Sequence, residues 1–72
     1  MTEKTSIADK IKNLRDMLKL TQEQLAVKAR IPYTTLMKIE SGQVKNPTVS
    51  TLKKIADALD VTIDYLISFN GK

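Results

Sequence analysis

The sequence predicts an all-α domain of five helices. Apolar residues recur at steps of three and four in five successive segments. A serine or threonine stands ahead of four of them, where a helix start wants a side-chain cap. Nothing alternates with a period of two, so no sheet is expected.

The first helix follows Ser6. Ile7, Ile11, Leu14 and Leu18 form one apolar stripe, with Lys10, Lys12, Asp16 and Lys19 off it. Ser6 can cap it, and Asp9 lies near its positive end. The next start signal is the sharpest in the chain. Thr21 precedes Gln24 by three residues, which makes a capping box. Leu20 and Leu25 flank it as a hydrophobic staple, so the second helix begins at Gln22 and ends near Ala29. Arg30-Ile31-Pro32 breaks it, because proline restricts the residue before it and cannot extend a helix.

The third helix runs from Tyr33 to Ser41. Leu36 and Ile39 face inward, Ile31 staples onto Leu36, and Gly42 is a natural stop. Residues 43–47 are a loop. Thr48 caps the fourth helix, whose Val49, Leu52, Ile55, Ala56 and Leu59 form an apolar face. Thr62 starts the fifth, with Val61 and Leu66 as its staple. Ile63, Leu66 and Ile67 share one face of it; Tyr65 and Phe69 share another.

Seventy-two residues are enough for one small domain. A chain of this size buries only about 60% of the surface it exposes when unfolded. Packing and caps must hold the fold, since there is no cysteine for a disulfide. There is no histidine either, which leaves no metal site of the common zinc or haem kinds and no cofactor to expect. Catalysis would have to rest on carboxylates, lysine or tyrosine, and no two acids fall at a spacing that suggests a shared site. An enzyme is therefore not expected. No apolar run reaches the roughly 18 residues that cross a bilayer, and Met1 to Ser6 lack a signal-peptide core. A cytoplasmic protein with no membrane partner is the expectation. The net charge of +4 favours a polyanionic partner.

Two short helices joined by a three-residue turn are the local signature of a helix-turn-helix. Their close crossing needs a small residue on the inner face of the first, and Ala26 stands there. Leu25, Ala29, Ile31, Leu36 and Ile39 anchor both sides of the turn. Pro32, Tyr33, Thr34, Thr35, Met37, Lys38 and Ser41 are then forced outward. Such a row of small polar, aromatic and cationic groups suits a groove lined with hydrogen-bonding base edges.

Residues 14–67 resemble the Cro and phage-repressor type of helix-turn-helix, also called the xenobiotic-response-element family. The string Leu20-Thr21-Gln22-Glu23-Gln24-Leu25-Ala26 carries the likeness, followed by Leu36 and Lys38-Ile39-Glu40-Ser41-Gly42. Asn46-Pro47-Thr48, Lys54-Ile55-Ala56-Asp57-Ala58-Leu59 and the stretch from Val61 to Leu66 also fit. The resemblance implies a compact lambda-repressor-like fold spanning residues 1–72, ordered over about 6–69. It implies base contacts from Tyr33, Thr34, Thr35 and Lys38 and phosphate contacts from Gln22, Gln43, Lys45 and Asn46. It pairs Arg15 with Glu40 in a structural role. Lys10, Lys12, Lys53 and Lys54 are expected to be solvated.

The functional expectation is a sequence-specific regulator of transcription, a repressor occupying its operator on double-stranded DNA as a homodimer. The dimer contact is expected at Ile63, Ile67 and Phe69, since a small domain cannot bury every apolar residue at its C-terminus. The alternative is an antitoxin or restriction-system controller protein that also binds a protein partner; only residues 68–72 follow the fifth helix, which weakens the antitoxin option. Two departures from the family bear on the turn. Arg30 stands where relatives often have glycine, at a cost of roughly 1 kcal/mol if the left-handed geometry is kept. Pro32 replaces the usual serine or threonine and removes a side-chain cap.

Overall fold

The computed structural model describes residues 6–67, and Phe69 lies outside them. Among the described residues the chain forms α1 (Ile7–Met17), α2 (Gln22–Ala29), α3 (Tyr33–Glu40), α4 (Val49–Leu59) and α5 (Ile63–Ile67), with no strand. The expected caps form. Ser6 Oγ accepts the Asp9 N–H at 3.2 Å, Thr48 Oγ1 accepts that of Thr51 at 3.2 Å, and Thr62 Oγ1 accepts that of Tyr65 at 3.0 Å. At the start of α2 both halves of the capping box are present, Gln24 N–H to Thr21 Oγ1 at 3.0 Å and Thr21 N–H to Gln24 Oε1 at 2.9 Å.

One connector recurs three times. Lys19-Leu20-Thr21, Arg30-Ile31-Pro32 and Asp60-Val61-Thr62 each begin with a left-handed residue, at φ 59°, 61° and 66°. In each, the apolar middle residue donates its N–H back into the preceding helix: Leu20 to Arg15 O, Ile31 to Ala26 O and Val61 to Ala56 O, all at 3.0 Å. This is the Schellman ending. The same apolar residue then sits one position before the next helix's cap, where it staples onto Leu25, Leu36 or Leu66. A single side chain thus closes one helix and opens the next, which explains how a connector of three residues sets each crossing. Arg30 keeps the conformation that glycine usually serves, and Pro32 supplies no side-chain cap hydrogen bond.

The core is built from Ile11, Leu25, Leu36, Ile39, Ile55 and Leu66, all fully buried. α2 packs against α3 and α4, while α1 packs against α3 and α5. The small residues Ala26 and Ala29 face the α2 crossings and are also buried.

Four expectations are corrected here. Leu18 is exposed, not part of the α1 stripe, because the helix ends at Met17 and the left-handed Lys19 turns the chain away. Val49, the first residue of α4, is 69% exposed, whereas Leu52 and Ile55 further along the helix are buried. Lys10 is not simply solvated: its Nζ donates to the Tyr65 carbonyl at 2.9 Å and lies 4.8 Å from the centre of the Tyr65 ring, tying α5 to α1. Ile67 is exposed although Leu66 beside it is buried, so α5 divides the apolar face read from its sequence.

Candidate nucleic-acid interface

The exposed side of α3 carries Tyr33, Thr34, Met37 and Lys38, with Ser41 at its end. Leu36 and Ile39 hold the opposite side in the core. Thr35 is half-buried, at the edge between the two. Ala26 and Ala29 on α2 leave room for this close approach, and the left-handed Arg30 sets the angle.

The acid of α3 is withdrawn from that exposed side. Glu40 is buried, and its carboxylate accepts three hydrogen bonds. Arg15 Nε donates to Oε2 at 2.9 Å and Arg15 Nη2 to Oε1 at 3.0 Å, a two-pronged geometry that matches guanidinium to carboxylate. Gln22 Nε2 donates to Oε1 at 2.9 Å. A further Arg15 nitrogen, Nη1, donates to the Leu20 carbonyl at 3.0 Å. The side chains of Arg15 and Glu40 are 14% and 2% exposed. Hydrogen bonding to Glu40 raises the Arg15 pKa above its ordinary value, against the opposing effect of burial. The expected pair therefore forms, and it joins α1, the start of α2 and the end of α3.

Gln22 is the less foreseen member. Its amide points inward to Glu40, while its Oε1 accepts the Tyr33 hydroxyl at 3.4 Å. Arg15, Glu40, Gln22 and Tyr33 thus form a chain of polar contacts from the interior to the exposed side. No sequence signal marks this: Gln22 and Glu40 are 18 positions apart, and only the fold brings them together. The capping box takes the N–H of Gln24, so those of Gln22 and Glu23 have no partner within the helix and lie at its positive end.

The loop after α3 is tied to it. Val44 N–H donates to the Lys38 carbonyl at 3.0 Å, Ser41 Oγ to the same carbonyl at 3.1 Å, and Gln43 N–H to Ser41 Oγ at 3.3 Å. Gly42 takes φ 85°, and a Cβ there would meet nothing within 4 Å, so its constraint is conformational. Val44 turns in, leaving Gln43, Lys45 and Asn46 exposed. The predicted site residues thus fall into two groups, the exposed side of α3 and this tethered loop, with Gln22 bridging α2 to α3. Among the described residues no His, Cys, Asp or Glu cluster could hold a metal, and no helix is long and apolar enough to cross a membrane.

Known proteins are similar to this chain in sequence and in fold. The phage CTXphi transcriptional repressor RstR of Vibrio cholerae is 42% identical over 60 residues, which are 83% of this chain and 53% of that protein. The immunity repressor of Bacillus phage phi105 is 37% identical over 62 residues, 86% of this chain and 42% of the relative. The chain therefore spans about half the length of the curated relatives it matches. The DNA-binding domain of SinR from Bacillus subtilis superposes with a TM-score of 0.81 at 32% identity, covering 83% of this chain and 87% of that one. SinR solved in complex with DNA superposes at 0.80, also at 32% identity, covering 83% of this chain and 95% of that one. The P22 c2 repressor shares the fold at 22% identity, with a TM-score of 0.80, over 93% of this chain and 97% of its own. The helix-turn-helix family profile matches residues 11–66. With that match spanning all but the first turn of α1 and the end of α5, the chain belongs to the helix-turn-helix family.

Proposed function

We propose that this chain is a sequence-specific regulator of transcription that lays α3 in the major groove of double-stranded DNA. The observation that carries the reading is the chemistry of α3. Its outer side shows hydroxyls, a thioether and Lys38, while its acid is buried against Arg15. Such a surface meets base edges without repelling the phosphates on either side. Tyr33, Thr34 and Lys38 are the base-reading residues, with Thr35 reaching from the edge. Gln22, Gln43, Lys45 and Asn46 meet phosphates, and the positive end of α2 supports them through its N–H groups. Since the amide of Gln22 is held by Glu40, its backbone N–H is the group best placed for that contact.

The regulator acts as a repressor by occupying an operator, in the cytoplasm, without catalysis, with residues 1–72 making up one helix-turn-helix domain. A homodimer doubles the few base pairs that one helix reads, with half-sites about 34 Å apart. Ile67 supplies the exposed apolar part of the dimer contact and Ile63 its half-buried edge; Phe69, also assigned to it from the sequence, lies outside the described residues. Sedimentation should show a dimer, at least on DNA; a monomer under both conditions would rule the contact out. A second reading has its own support. A restriction-modification controller protein from Aeromonas hydrophila superposes with a TM-score of 0.80 at 27% identity, covering 88% of this chain and 94% of its own.

Selection of binding sequences from random duplexes tests the reading. Enrichment of a two-fold symmetric site is the expected result. A pool that stays random would refute it.

A further inference from the structure

The side of α3 that faces away from the core holds a large apolar side chain that neither the fold nor the roles above account for. Met37 is 40% exposed. It lies four residues after Tyr33, which is 41% exposed, so the two stand side by side on the helix. Thr34 lies one turn before it on the same side and Lys38 immediately after it, both exposed. The adjacent residues Leu36 and Ile39 already fill the core positions of this helix. A lone exposed hydrophobic residue on a protein surface needs no explanation by itself. Met37 differs in its setting, the middle of a face whose other members are a phenol, a hydroxyl and an ammonium group.

In the major groove only one base edge presents an apolar group, the C5-methyl of thymine. A thioether side chain is flexible, polarisable and a poor hydrogen-bond partner, so it gains little from the donors and acceptors of the other edges. Against a methyl group it gains the removal of both surfaces from water. Resting on the placement of α3 in the major groove, we infer that Met37 is a specificity-determining residue that selects a thymine in each half-site through its C5-methyl. Lys38 and Thr34 then read polar edges on either side of that base pair, and the stem of Met37 excludes water between them.

The test uses the selected operator with each thymine replaced in turn by uracil, which removes the methyl and leaves every hydrogen-bonding group in place. Binding of the wild-type chain and of Met37→Ala is titrated by fluorescence anisotropy. One symmetric thymine pair should be found at which the wild type loses about fourfold in affinity per half-site, the worth of one buried methyl-sized group. At that pair Met37→Ala should lose nothing further, whereas Met37→Leu should retain the loss. Because Met37 is partly exposed, an unchanged melting temperature is expected for both variants and separates recognition from folding. A selected operator whose uracil substitutions weaken the wild type and Met37→Ala equally would overturn this inference and leave the DNA-binding reading standing. Failure to select any operator would overturn both.

Discussion

Arg15 and Glu40 show how a charged pair can serve geometry more than stability. Taking two charges out of water costs several kcal/mol per ion, which good geometry only roughly offsets. Removing one partner is another matter. Arg15→Met should destabilise the chain by about 3–5 kcal/mol, since Glu40 would keep only Gln22. The double variant Arg15→Met with Glu40→Leu should recover much of that loss in chemical denaturation. If it is no more stable than the single variant, the penalty lies elsewhere than in the orphaned carboxylate. The pair should show no pH dependence from Arg15 in the neutral range. With its pKa raised above the ordinary arginine value, the stabilisation is complete below that ordinary value and fades only as pH climbs past the raised one. On the surface, Lys45→Ala should weaken all DNA sequences alike and flatten the salt dependence by about one unit. Indistinguishable behaviour of Lys45→Ala and Thr34→Ala would contradict the division between positioning and reading contacts.

At the scale of the element, the three-residue connector is the unit that makes this fold. Its caps and staples are local in sequence, so they were legible: Thr21 with Gln24, Ile31 with Leu36, Thr62 after Val61. The left-handed residue was legible only at Arg30, where the family has glycine. Asp60 is a residue type that tolerates this conformation without requiring it, and at Lys19 nothing in the side chain announces it. Replacing Arg30 by glycine should relieve the strain and stabilise the chain by up to about 1 kcal/mol. A fall in melting temperature for that variant would mean that the Arg30 side chain contributes more than its backbone costs. Thr21→Ala should cost about 1 kcal/mol through loss of the cap. Ala26→Leu should cost about 1–3 kcal/mol or more, as the α2–α3 crossing has no space for it. A melting temperature unchanged by Ala26→Leu would contradict the close crossing.

Across the whole molecule, the contacts that sequence could not reveal are those linking elements far apart in the chain. Lys10 looked like one more solvated lysine, yet it reaches the carbonyl of Tyr65, 55 positions away. Leu18 and Val49 fit apolar stripes by spacing, but Leu18 falls just past the end of α1 and Val49 is the first residue of α4, and periodicity does not say which end residues the neighbouring elements cover. The core and the exposed side of α3 were legible because both follow from one helical period and one fixed turn. Gln22 was legible as the first residue of α2 but not in the direction of its side chain, which depends on where the end of α3 places Glu40. These links make α1, α2, α3 and the 43–46 loop one body, so that the helix proposed to read bases and the loop proposed to meet phosphates keep a fixed separation. The most direct test of that arrangement is parallel selection from random duplexes with the wild-type chain and with Lys38→Ala. The account predicts two symmetric consensus sites that differ at one base-pair position per half-site, with the remaining positions and the half-site spacing unchanged. Identical consensus sequences from the two proteins would contradict it.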